Sequence, residues 1–331
     1  MREEILNLLT GKKIDSVPSF SGLIHVTAEG LEREGLVLHE THHDANKMAR
    51  AAASTFHLTG MPSAALPLDL CAPAEALGAE LKFYEGDILQ FPQPVKPLFA
   101  SANYLNEGYL QSTDFINKGR LPLICNAMRS LKNDMGDKIA ISGVIPGPYT
   151  LLLYLVEPGG LFAGMKREPA SIHEALRVLS LFLTEVGAAY RNAGADFITI
   201  HDMGGSPGFI GPAKYEQFVF PVEKLLIEKL PKPVVLSVCG NASNSLLLLN
   251  EVGANAISID QTTDIIKARE ALKNTLLFGN IDPVNMLWQG DDVQVVEAVQ
   301  RVKEAGVDAV WPGCDLVPQT AIRNLKSMLK A

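Results

Sequence analysis

Cysteine is scarce: four thiols in 331 residues, Cys71, Cys125, Cys239 and Cys314, with no CxxC pair among them. That argues against a disulfide framework and against a local zinc ribbon, and leaves buried thiol, metal ligand or nucleophile. Excess positive charge is also missing. The net charge is -8, so the chain gains nothing from releasing phosphate counterions, and neither a nucleic-acid partner nor an anionic membrane surface is expected. Long apolar runs are absent; stretches such as Leu246 to Leu249 fall far short of a membrane span. Met1-Arg2-Glu3-Glu4 opens a helical segment and does not read as a signal peptide, so a cytoplasmic protein is expected. No glycine-rich dinucleotide fingerprint and no low-complexity segment occurs.

What is present is an alternation of short apolar strands and amphipathic helices. Expected strands are Lys138 to Gly143, Asp196 to Ile200, Val234 to Val238, Ala256 to Ile259, Thr275 to Phe278 and Val307 to Trp311. Between and after them, helices are expected over Pro169 to Ala193, Pro212 to Leu230, Ser243 to Val252, Asp264 to Leu272, Asp291 to Ala305 and Pro318 to Leu329. Three helices end in the same way, at Asn192-Ala-Gly-Ala-Asp, Glu251-Val-Gly-Ala-Asn and Glu304-Ala-Gly-Val-Asp, with Gly where a left-handed residue is needed. Such alternation means a parallel sheet. Without a dinucleotide fingerprint it favours a closed (β/α)8 TIM-type barrel, read as one domain over 1–331 with an N-terminal helical elaboration over 1–56. Within the elaboration, Arg2 to Leu9 and His39 to Thr55 read as helices and Val17 to Ser21 as extended. Thr59 to Leu70 reads as strand-like, Lys82 to Phe91 as a strand and connection, and Lys82 to Ser112 as an insertion or lid.

A barrel enzyme keeps its chemistry just beyond its strands. There the sequence places His201 and Asp202; Ser237, Cys239, Gly240 and Asn241; Asp260; Asn280 and Asp282; Cys314 and Asp315; and, earlier, Asp69 and Cys71. Two thiols, an imidazole and carboxylates on neighbouring strand ends are a set that binds zinc. Cys239 and Cys314 can equally be read as buried thiols, His201 as a hydrogen-bonded lining residue and Asp69 as a helix cap. His39, His42 and His43 share a helix face and read as a solvated polar surface.

Leu236-Ser-Val-Cys-Gly-Asn241, Leu277-Phe-Gly-Asn-Ile-Asp-Pro283 and Trp311-Pro-Gly-Cys314 resemble motifs of the uroporphyrinogen decarboxylase superfamily, in its branch of corrinoid-dependent methyltransferases. Pro67-Leu-Asp69, Pro73-Ala-Glu-Ala-Leu-Gly78 and Ile145-Pro-Gly-Pro148 add to the resemblance, which covers nearly the whole chain. It implies a TIM-type barrel and a zinc ion held by a His-x-Cys pair and a distant Cys, the zinc favouring the thiolate of an acceptor thiol that takes a methyl group from a methyl-corrinoid. The corrinoid arrives on a separate partner protein, and the acceptor is a thiol such as coenzyme M, or tetrahydrofolate. Cys239 and Cys314 match the two thiolates. The histidine position is Ser237, a neutral hydroxyl and a poor ligand, so His201 and Asp260 are the candidates to complete the sphere. His201, Asp260 and Asp69 are the catalytic candidates, and Gly240, Asn241 and Asn280 the candidates for cofactor contact. Two alternatives remain open. One is a decarboxylase of tetrapyrroles, whose pyrrole-binding aspartate Asp69 matches but whose arginine cage is missing from Pro18 to Val26. The other is a non-catalytic barrel that binds a corrinoid or methyl carrier.

Overall fold

The computed structural model describes residues 1–86 and 88–331. Its centre is a curled, all-parallel sheet of seven strands in sequence order: β1 (Ser63–Leu66), β2 (Ala140–Pro146), β3 (Phe197–Asp202), β4 (Val234–Val238), β5 (Ala256–Ile259), β6 (Leu276–Ile281) and β7 (Ala309–Pro312). The extended segment near the N-terminus supplies the eighth stave. Ser19 bridges Val310 in parallel, Phe20 N–H donates to the Val310 carbonyl at 3.1 Å, and Val310 N–H donates to the Pro18 carbonyl at 2.9 Å. On its other side, Ser21 N–H donates to the Ser63 hydroxyl at 3.1 Å. The protein is thus a TIM-type barrel. Residues 18–21, an extended stretch within the N-terminal elaboration, take part in the barrel wall.

Side chains fill the barrel. Phe20, Phe278 and Trp311 form a fully buried aromatic trio with ring centroids 5.1–5.7 Å apart. Burying each such side chain contributes roughly 1.5–3 kcal/mol. Gly22 lies against this layer: a Cβ there would come 2.5 Å from the Trp311 ring and 2.7 Å from the Thr199 hydroxyl, so only glycine lets the segment pass. The long helix Pro169–Ala193 shows how the outer ring attaches. Ile172, Leu176, Leu179, Leu183, Val186 and Tyr190 recur at helical spacing and are all buried. Pro169 occupies its first turn, and Gly194 ends it at φ 119°; Gly253 and Gly306 also take left-handed values, as their shared punctuation predicts.

Several boundaries differ from the sequence reading. The helix expected from His39 breaks into Leu38–Thr41 and Ala45–Thr59, because the Asp44 carboxylate accepts from Lys47 N–H and caps a new start. Helices Ala28–Glu34, Leu121–Met135 and Pro158–Arg167 had no counterpart in that reading. The helix expected from Ser243 begins at Leu246, and the Ser243 hydroxyl accepts from Asp264 N–H. Asp264 does cap Ile265–Ala271, accepting from Ile266 and Lys267 N–H. The closing helix is Ile322–Lys330, and Pro318 precedes it in a turn. Among the described residues of 81–112, Leu81–Lys82 and Gln93–Pro94 pair in an antiparallel ribbon, Phe99 bridges Val156, and short helical turns follow. Among the described residues, no helix is long and apolar enough to cross a membrane.

Candidate metal centre

Parallel strands in register deliver their end residues to one rim. His201 on β3 and Ser237 on β4 are direct register partners, and Cys239 follows β4 while Cys314 follows β7. The three potential ligands converge. His201 Nε2 lies 3.1 Å from Cys239 Sγ and 3.6 Å from Cys314 Sγ, and the two sulfurs are 3.1 Å apart. Among the described residues these are the one group of three or more His, Cys, Asp or Glu whose ligand atoms all lie within 4.8 Å of one another. His201 is fully buried, while both cysteines are partly exposed.

The turns that hold them are fixed locally. Asp202 is buried; it accepts from Thr150 Oγ1 and Gly205 N–H, both at 3.0 Å, and so shapes the turn after His201. Gly240 adopts φ 73°, and Gly208 packs so close to the Gly240–Asn241 backbone that a Cβ on it would lie 2.6 Å from Asn241 N. These two glycines let the β3 and β4 loops touch beside Cys239.

The electrostatics are those of shared protons. The hydrogen bond from Cys239, reinforced by His201, pulls the Cys314 thiol well below its ordinary pKa, and Cys239 moves up in response. Burial alone lowers a histidine, but the Asp315 carboxylate and Cys314 outweigh it and raise His201 to about 9. Asp315 Oδ2 lies 3.5 Å from His201 Nδ1, and its Oδ1 accepts from Ile24 N–H at 2.9 Å. Asp315 makes no hydrogen bond to Nδ1 at this distance, but it is the carboxylate placed to fix a ligating imidazole's tautomer when that bond closes. Asp315 did not stand out in the sequence beyond its place next to Cys314. Asp315→Asn is expected to weaken metal retention about 10- to 100-fold while leaving the fold intact, read by competition with a chelator.

The other candidates sit elsewhere. Asp260 does not join the cluster: its Oδ1 accepts from Thr262 N–H and Oγ1 at 2.8 and 2.6 Å, which makes it a turn former. Asn280 spends its amide on the Asp260 and Thr263 carbonyls, both at 3.1 Å, and Asn241 accepts from Ser243 N–H within its own turn. Asp69 is 2% exposed and bound on both oxygens, by Arg120 at 2.7 and 3.1 Å, with Cys71 N–H at 2.9 Å and His42 Nδ1 at 3.1 Å. Glu75 takes the remaining face of Arg120 at 2.7 Å. His42 is therefore no part of a solvated surface; it is buried in an ion cluster that ties the N-terminal helices to β1. Ser237 Oγ is buried and makes no hydrogen bond.

Comparison with known proteins identifies the family. The sequence pattern of the family described as Uroporphyrinogen decarboxylase (URO-D) matches residues 1–331. A protein named Methylcobamide:CoM methyltransferase MtbA, from Methanosarcina acetivorans, is 31% identical across 99% of this chain and 96% of its own length. A Uroporphyrinogen decarboxylase from Thermodesulfovibrio yellowstonii is 30% identical over 73% of this chain and 69% of its own. A solved methyltransferase from Methanosarcina mazei superposes with a TM-score of 0.93 at 24% identity, covering 99% of this chain and 97% of that one, and shares the fold. With a barrel of this form and a match over all 331 residues, the chain belongs to the uroporphyrinogen decarboxylase family.

Proposed function

We propose that this chain is a corrinoid-dependent methyltransferase that moves a methyl group between a corrinoid carried by a partner protein and a small thiol, with zinc held by His201, Cys239 and Cys314. The observation that carries the reading is the convergence of one imidazole and two thiols, from three strand ends, within 4.8 Å. Thiolate and imidazole are the ligands zinc prefers, and three protein ligands with a fourth position open is the pattern of catalytic rather than structural sites. Bound there, zinc supplies positive charge that favours the thiolate form of a substrate thiol beside it.

The chain's own residues do the rest. Asp315 stands 3.5 Å from His201 Nδ1, at ion-pair distance, while Nε2 is directed at the two sulfurs. Asp202 and Thr150 fix the turn that follows. Full similarity in length to the relative named for methylcobamide and coenzyme M supports methyl transfer. The decarboxylase alternative is disfavoured by Asp69: both its oxygens are committed to Arg120, so it has no free acceptor for pyrrole N–H groups. One contiguous core, running from Ile5 through the barrel to Met328, supports reading 1–331 as a single folding unit. Two free thiols in contact suit a reducing compartment, the cytoplasm.

The test is metal analysis of the purified protein together with methylcobalamin turnover, followed by the loss of its visible spectrum when thiols are added. About one zinc per chain and thiol-dependent demethylation are expected. A zinc-loaded protein that demethylates neither methylcobalamin nor a methylated corrinoid protein with any thiol overturns the reading. Tight corrinoid binding in that case identifies a carrier-binding barrel instead.

A further inference from the structure

A cavity of about 440 Å³ opens at the barrel mouth beside the triad. Asp315, which contacts His201, forms one wall together with Met203, next to the His201–Asp202 turn. The opposite wall is Asp69 and Leu70, and the ribbon at Phe91 and Pro92 covers it, pinned by the Cys71 thiol donating to the Pro92 carbonyl at 3.2 Å. Ala65, Leu70 and Val144, with Tyr154 and Met203 against them, make a separate apolar cluster at this place. Among the described residues that line the cavity there is no lysine, arginine or histidine. The guanidinium behind Asp69, that of Arg120, is already matched by Asp69 and Glu75. His25, next to the lining residue Ile24, is held neutral, since burial lowers its pKa to about 4.

Coenzyme M, the thiol in the names of the relatives, ends in a sulfonate that stays ionised in water. Two cysteine thiolates already cancel the charge of a divalent cation, so a substrate thiolate is the first uncompensated negative charge at this site. The Asp315 carboxylate is close by, and a sulfonate would add another anion with no cation to receive it. Burying an anion without a counter-charge is strongly unfavourable. An apolar chain, by contrast, gains with every methylene laid on Leu70, Met203 and Phe91.

Within the thiol-acceptor reading above, we propose that the thiol this site selects is uncharged and largely apolar, not a sulfonate- or carboxylate-bearing one. Leu70, Phe91 and Met203 bind its chain, and the Tyr154 hydroxyl and the Gln93 amide are the uncharged polar side chains that line the cavity. The balance of the transfer is unchanged: the sulfur–carbon bond forms, the carbon–cobalt bond breaks with its electron pair left on cobalt, and the thiol proton goes to solvent.

Calorimetric titration of the zinc-loaded protein with 1-propanethiol, 2-mercaptoethanol and coenzyme M tests this apart from turnover. Propanethiol is expected to bind at least about tenfold more tightly than coenzyme M. Met203→Lys is expected to reverse that order by giving the sulfonate a partner. Should that variant fold poorly, Phe91→Lys, on the covering ribbon, serves the same purpose. Equal or tighter binding of coenzyme M by the parent protein overturns the inference and leaves the thiol reading standing. No heat from any thiol overturns both.

Discussion

A His201→Ala protein is expected to lose zinc: its affinity should fall by more than the roughly 10- to 100-fold that loss of an outer-sphere partner costs, because a ligand itself is gone. The neighbouring strand makes a sharper experiment possible. His201 and Ser237 are register partners on β3 and β4, so their Cα positions differ by one inter-strand spacing, about 4.8 Å. Ser237 is buried, its hydroxyl is without a partner, and it shares the β4 face that ends in Cys239. The resemblance to the His-x-Cys pattern places the family's imidazole at that position, and this chain has the imidazole one strand over. The double variant His201→Ser/Ser237→His returns the ring to β4 and vacates the space it needs. It is expected to recover most of the zinc that His201→Ala loses. The measurement is zinc per folded chain, with chelator competition for affinity and circular dichroism to verify folding. Undiminished zinc in His201→Ala would remove His201 from the ligand set. A folded double variant that stays empty would leave His201 a ligand but sink the idea that the two positions are interchangeable.

The second large effect concerns stability. Asp69 and Arg120 form a buried pair, 1% and 6% exposed, with Glu75 and His42 completing it. Arg120→Ala leaves the Asp69 carboxylate buried without its cation and is expected to cost about 3–5 kcal/mol, read by urea denaturation. Burial by itself would raise the Asp69 pKa, but Arg120 and His42 overcome that and hold it well below the usual carboxylate range. A folded-state pKa below the unfolded value contributes stability that is complete above the unfolded pKa of about 4 and is lost as pH falls below it. The parent protein should therefore lose stability on acidification below about pH 4 more steeply than Arg120→Ala does. If Arg120→Ala costs less than about 1 kcal/mol, in the range of an exposed pair, the cluster is not what ties the N-terminal helices to the barrel.

That cluster also shows where sequence reading reaches its end. Asp69 attracts notice by lying beyond a strand, and a catalytic role follows easily. Its partners, however, are His42, Glu75 and Arg120, up to 51 positions away, and nothing local in the sequence couples them. The histidines at 39, 42 and 43 suffer the same way: helical spacing puts them on one face, but an Asp44 cap breaks the helix and turns His42 inward. Asp260 and Asn280 show the converse. Strand-end placement made both site candidates, and short hydrogen bonds to nearby turns occupy them.

From sequence alone came the barrel, because strand and helix periods and the glycine stops are local properties that repeat along the chain. The candidate pair Cys239 and Cys314 was also legible as residue type at strand ends, and the resemblance to the His-x-Cys pattern singled out the serine at 237. Tertiary structure alone decided that His201 and not Asp260 meets the thiols, that Asp315 stands behind it, that residues 18–21 close the wall, and that the mouth cavity lacks a cation. Those depend on register between strands and on contacts across 38 to 291 positions. Such contacts are set by how the sheet closes on itself, which no window of the sequence contains.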